Sequence, residues 1–163
     1  MTSALRLDFV VACRPDTAFR LWTEALGTWW PADHTVSGDP AVVVLEGHRG
    51  GRVFERALDG TEHDWGRVTV WEPPRRLGYT WHLGRRADDA TDVEIGFVAG
   101  EHGTTVVMIE HRGWERLGER ADEWKDRNRA GWESLLPYLA EAASSRLGAA
   151  YDSRLPAERG TPT

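Results

Sequence analysis

A single cysteine, Cys13, stands in the whole chain, which excludes an internal disulfide and fits a reducing, cytoplasmic setting. No apolar run is long enough to cross a membrane, so no membrane association is expected. Leu7 to Cys13 has the outline of a lipoprotein signal, but only six residues precede it and Asp8 interrupts it. Positive charge is in deficit. The net charge is −6 and the pI is near 5.5, which argues against a nucleic-acid partner. Metal chemistry has little to work with either. The six histidines (His34, His48, His63, His82, His102 and His111) fall at no metal-ligand spacing, and no second cysteine completes a zinc site. No cofactor is implied, because Gly47 to Gly51 lacks the lysine and the following helix of a phosphate-binding loop. No serine sits in a nucleophile-elbow pattern, and no catalytic residue is assigned.

What the chain has is tryptophan, nine of them in 163 residues. They either fill a large core or line a cavity for a flat or apolar ligand, and core filling is the default for any one of them. Hydrophobic residues at 40% and charged residues at 28% give the balance of a globular domain rather than a disordered chain. One domain is expected, spanning residues 1–147. Residues 148–163 carry Gly148, Gly160 and two prolines without apolar periodicity, and they read as a tail.

Asp122 to Leu147 predicts one long helix. One stripe carries Trp124, Asn128, Gly131, Leu135, Leu139 and Ala142, flanked by Trp132, Leu136 and Tyr138. Asp126, Arg129, Glu133, Glu141 and Ser144 lie on the opposite, polar stripe. Pro137 falls on the polar side, where a kink leaves the freed carbonyl of Glu133 to water. Upstream, Leu5 to Ala12 predicts a strand. Pro15 and Asp16 open a helix that carries Ala18, Phe19, Trp22 and Leu26 on one face and ends at Gly27. Gly27 to Pro31 reads as a second short helix or turn. Its adjacent Trp29 and Trp30 cannot face the same way, so one caps the core and the other is available as a pocket rim.

Six further strands are expected at Ala41–Glu46, Arg52–Leu58, Asp64–Trp71, Arg76–Leu83, Thr91–Ala99 and Thr104–Arg112. Leu77, Tyr79 and Trp81 share one face, as do Val93, Ile95 and Phe97. Short connections and the absence of crossover helices imply an antiparallel sheet and exclude a doubly wound one.

Several short stretches fit a known pattern. They are Gly27-Thr28-Trp29-Trp30-Pro31, Gly50-Gly51-Arg52, Gly66-Arg67-Val68, Glu72-Pro73-Pro74-Arg75-Arg76-Leu77, Tyr79-Thr80-Trp81, Gly103-Thr104-Thr105-Val106 and Gly131-Trp132. In this order, across about residues 5 to 143, the chain resembles the family named after the activator of the heat-shock protein 90 ATPase, in the START-like (SRPBCC) superfamily. The resemblance implies an α+β helix-grip fold, in which a curved antiparallel sheet of about seven strands wraps a long C-terminal helix. It also implies an apolar cavity between sheet and helix.

The residues expected to line that cavity are Trp29, Trp30, Phe54, Trp65, Tyr79, Trp81, Trp124, Asn128, Gly131 and Leu135. Asn128 is either an amide satisfied by backbone or a polar anchor for a ligand. Gly131 costs the helix roughly 1 kcal/mol relative to alanine, for close packing or for ligand space. His63 beside Asp64 reads as a solvated turn, and His82 reads as a surface residue. His111 ends the last strand before the long helix, near the expected mouth. Glu55 and Glu94 are expected to face water. The function expected is binding of a small apolar or aromatic molecule. Two alternatives stand beside it. One is a co-chaperone-like regulator, ranked below because the eukaryotic activator has an N-terminal domain not found in this sequence. The other is a cyclase or hydrolase, which needs polar groups such as Asn128, His111, Arg67 and Tyr79 to converge. A homodimer is left open.

Overall fold

The computed structural model describes residues 2–154. Strand β1 (Leu5–Val11) leads into helices α1 (Pro15–Thr23) and α2 (Leu26–Trp29). Strands β2 (Pro40–Leu45), β3 (Arg52–Ala57), β4 (Glu62–Glu72), β5 (Arg76–Trp81), β6 (Thr91–Ala99) and β7 (Thr105–Arg112) follow. A short helical segment, Trp114–Arg120, then precedes the long helix α3 (Ala121–Ala143), and α4 (Arg146–Arg154) comes after it. All seven strands form one antiparallel sheet in the order β1-β7-β6-β5-β4-β3-β2. β2 to β7 are therefore a meander, and β1 pairs with β7 from Leu5 opposite His111 to Val11 opposite Thr105. This is the helix-grip architecture.

Alternation along the strands decides which face meets the helices. Leu77, Tyr79 and Trp81 of β5, Val93, Ile95 and Phe97 of β6, and Val107, Ile109 and His111 of β7 are all buried. Burying each large apolar side chain contributes about 1.5–3 kcal/mol, so this face dominates the stability of the sheet. Trp22, Trp29, Trp65 and Trp114 complete the aromatic core.

Three irregularities curve the sheet, one of them at Ala41 on the edge strand β2. Between β3 and β4, Val53 pairs with Gly66 but Phe54 pairs with Asp64, so Trp65 is an extra residue. Between β4 and β5, Val68 pairs with Tyr79 and Val70 with Gly78, which leaves Thr69 over. Extra residues of this kind bend and twist a strand. At the first bulge, a Cβ on residue 66 would stand 1.7 Å from the carbonyl oxygen of Thr80, so only glycine fits.

The chain departs from expectation at its end. α3 runs through the exposed Pro137 and stops at Ala143, short of Leu147. Residues 146–154, most of which were expected as tail, form α4 instead. A Cβ on Gly148 would meet the Ala143 carbonyl oxygen at 2.1 Å, so this glycine lets the chain fold back tightly on the end of α3. Asp152 then accepts hydrogen bonds from the Thr17 hydroxyl and from the backbone N–H of Arg14, while Arg20 lies 4.1 Å from the Tyr151 ring centre. These contacts clamp α4 to α1. The remainder of the expected tail lies outside the described residues.

Candidate functional site: a tryptophan-lined cavity

A cavity of about 380 Å³ opens between the N-terminal half of α3 and the C-terminal end of β5. α3 contributes Trp124, Arg127, Asn128, Gly131, Trp132 and Leu135, which recur at helical spacing along its apolar stripe. Trp30 closes one side and Trp81 forms the floor. Two loops finish the rim: His34, Thr35 and Val36 before β2, and Leu83, Gly84 and Arg85 after β5. Trp81 and Trp132 stack at 6.4 Å with 30° between their planes, and Trp30 stands 5.9 Å from Trp81. A Cβ added at Gly131 would meet nothing within 4 Å. The glycine thus borders open space and is not held by a close packing contact. A more open groove of about 540 Å³ lies elsewhere, between α1 and the Pro73-Pro74 turn, away from α3.

Of the ten residues expected at the site, Trp30, Trp81, Trp124, Asn128, Gly131 and Leu135 come together here. Four do not. Trp29 packs in the core and donates its indole N–H to the Leu21 carbonyl at 2.8 Å. Tyr79 is buried behind Trp81, and burial pushes its phenol well above the ordinary range. Trp65 is buried and donates to Glu55 at 3.1 Å. Phe54 faces the other side of the sheet, beneath the Arg52 guanidinium at 4.1 Å. The inward positions of β3 belong to Val53 and Glu55, because face alternation on this strand runs opposite to the one assumed.

Glu55 was expected in water and is fully buried instead. Its two oxygens accept from the backbone N–H groups of Val36 and Ser37, the Ser37 hydroxyl and the Trp65 indole. Burial alone would raise its pKa, but those donors outweigh burial and hold the carboxyl below its ordinary value. Glu55 is thus an ionised strap that fixes the 35–37 loop forming one cavity wall.

His111 sits behind the cavity wall. The Trp132 indole donates to its Nδ1 at 3.1 Å, so its Nε2 carries the proton and donates to the Thr91 hydroxyl at 2.7 Å. Thr91 donates onward to the Trp81 carbonyl at 3.2 Å, and Arg85 donates to Thr91 at 3.3 Å. Burial, and then the charge of Arg85, lower the His111 pKa from 6.5 to about 3. Arg67 is exposed, so of the four polar groups named for a catalytic reading only Asn128 lines the cavity. Its amide N–H donates to the Trp124 carbonyl at 2.8 Å.

The rim residues His34, Thr35, Val36, Leu83, Gly84 and Arg85 were not foreseen, because they lie on loops without periodicity. Arg127 and Trp132 had a signal: Arg127 is three residues after Trp124 and four before Gly131, at the edge of the same stripe.

Residues 12–144 match the family model described as Activator of Hsp90 ATPase homolog 1-like protein. The chain belongs to that family. No curated protein matches it. Among solved structures it is similar to an anthrahydroquino-gamma-pyrone synthase, at 32% identity and a TM-score of 0.56, covering 75% of this chain and 84% of that one. It is also similar to a self-sacrificing resistance protein from Micromonospora echinospora, at 27% identity and a TM-score of 0.67, covering 88% and 96%. A protein from Mesorhizobium loti shares the fold at 17% identity and a TM-score of 0.64, covering 87% and 97%. This Activator of Hsp90 ATPase homolog 1-like domain is thus a START-like helix-grip protein with an open cavity where the grip closes.

Proposed function

We propose that the cavity binds a small, flat aromatic or apolar molecule. The observation that carries this reading is the open space beside Gly131, walled by Trp30, Trp81, Trp124 and Trp132. A cavity of about 380 Å³ is within the size range that takes drug-like ligands, and aromatic walls suit a flat body. The 32%-identical synthase supports the same class, since its name describes a fused aromatic. Asn128 is a polar group on the helix wall available to such a ligand. Trp29, Trp65 and Tyr79 serve as core, and Phe54 packs on the outer face of the sheet.

The tryptophans are their own reporters. A fused aromatic compound entering the cavity is expected to change tryptophan emission and to raise the melting temperature. Binding only the folded state adds about 2.7 kcal/mol at a hundredfold excess over Kd. Gly131→Phe is expected to abolish both responses, and Glu133→Ala, on the exposed stripe, neither. Responses that survive Gly131→Phe would place binding elsewhere and sink the reading.

A further inference from the structure

The protein carries a net charge of −6, yet the cavity has two arginines and no carboxylate in its lining. Arg85 and Arg127 each lie 5.0 Å from the centre of the Trp124 ring, so their charges are within about 10 Å of one another. Neither makes an ion pair among the described residues. Arg85 is half-buried and spends its N–H groups on neutral acceptors: the carbonyls of Trp81 and Asp89 and the hydroxyl of Thr91. Its Nε–H has no partner among the described residues. Asp89 is the acid whose field it feels, but Arg85 meets its backbone carbonyl and makes no ion pair with its carboxylate. A third guanidinium, Arg120, stands 5.4 Å from the same ring, but it is already met by Glu123 at 2.9 Å. Two like charges thus face one aromatic ring at the rim of a cavity, without an anion between them.

We propose that the ligand of this cavity carries an anionic group, a carboxylate, phenolate or sulfonate, received by Arg85 and Arg127 while its flat body lies among Trp30, Trp81 and Trp132. This rests on the cavity reading above and adds the charge of the ligand to it. The chemistry is that of charge-assisted hydrogen bonds, which a planar guanidinium offers in pairs. Removing the repulsion between two unpaired cations adds to the preference, and the half-buried position of Arg85 limits screening by salt.

Two fluorescent probes with the same rings separate the two claims. Anilinonaphthalenesulfonate bears a sulfonate, and phenylnaphthylamine is its uncharged counterpart. Titrated into the wild-type protein, the sulfonate is expected to bind about tenfold more tightly than the amine, with a preference that narrows as salt is added. Arg127→Gln, at the exposed rim of the cavity and without a hydrogen bond among the described residues, is expected to weaken the sulfonate several-fold more than the amine. Arg85→Gln removes the second cation and is expected to weaken the sulfonate more than the amine, with the melting temperature as a check on folding because Arg85 also holds two backbone carbonyls. Gly131→Phe is expected to exclude both probes. Equal affinity for the two probes, or an Arg127→Gln protein that keeps the full preference, overturns the anion assignment and leaves the cavity reading standing. Failure of both probes to bind, or binding that persists in Gly131→Phe, overturns both readings.

Discussion

Protonating His111 would place a second N–H against the Trp132 indole N–H, in a site closed to water. The hydrogen-bond pattern therefore demands the neutral ring, in the same direction as the lowering by burial and by Arg85. The consequence for stability has a definite sign. In the unfolded chain the imidazole takes up a proton below about 6.5; in the folded chain it stays neutral down to about 3. The unfolded state then binds the extra proton, so stability is full above pH 6.5 and falls as the pH drops toward 3, by up to about 1.4 kcal/mol per pH unit. Chemical denaturation between pH 6.5 and 4.5, above the ordinary range of the carboxylates, is expected to show this slope. His111→Gln is expected to flatten it while lowering stability at neutral pH by about 1–3 kcal/mol, since partners of a buried polar group are left imperfectly met. A slope that survives the substitution would assign the proton to another group.

At the scale of the element, α3 shows how one helix serves two ends. Leu135, Leu136 and Leu139 are buried in its C-terminal half, while Gly131 and Asn128 border open space in its N-terminal half. Glycine in a helix interior costs roughly 1 kcal/mol relative to alanine, and at position 131 no close neighbour requires that cost. Gly131→Ala is therefore expected to raise stability by about 0.5–1 kcal/mol, read as a higher melting temperature. A lower melting temperature would mean that the space beside Gly131 is filled by a neighbouring side chain. The same residue separates stability from binding, because a larger side chain fills the cavity without straining the helix.

Across the whole molecule, the net charge of −6 works against an approaching anion, so the preference proposed for the rim rests on the local field of Arg85 and Arg127. The family takes its name from a chaperone activator, but a shared fold hosts unrelated activities. Added to a heat-shock protein 90, the domain is expected to leave ATP turnover unchanged; saturable stimulation would make the co-chaperone reading the better one.

The number of strands, their antiparallel order, the two short helices and the apolar stripe of α3 follow from the sequence by itself. Their signals are local: periodicity, turn residues and connections too short for a crossover. The stripe also brought Trp124, Asn128, Gly131 and Leu135 to one place before any contact was known. Tertiary structure decided the rest. One extra residue at Trp65 marks where the register between β3 and β4 shifts. With the face of β3 settled by that pairing, Phe54 points away from the helix and Glu55 into the core, and no count along a single strand reveals either. The rim is assembled from residues 34–36 and 83–85, far apart in sequence and joined only when the curved sheet closes on α3. The fold-back at Gly148, which turns an expected tail into α4, likewise depends on a contact with the end of α3 and on the partners that Thr17 and Arg14 offer to Asp152. Local pattern set the elements; non-local pairing set which side chains they turn inward.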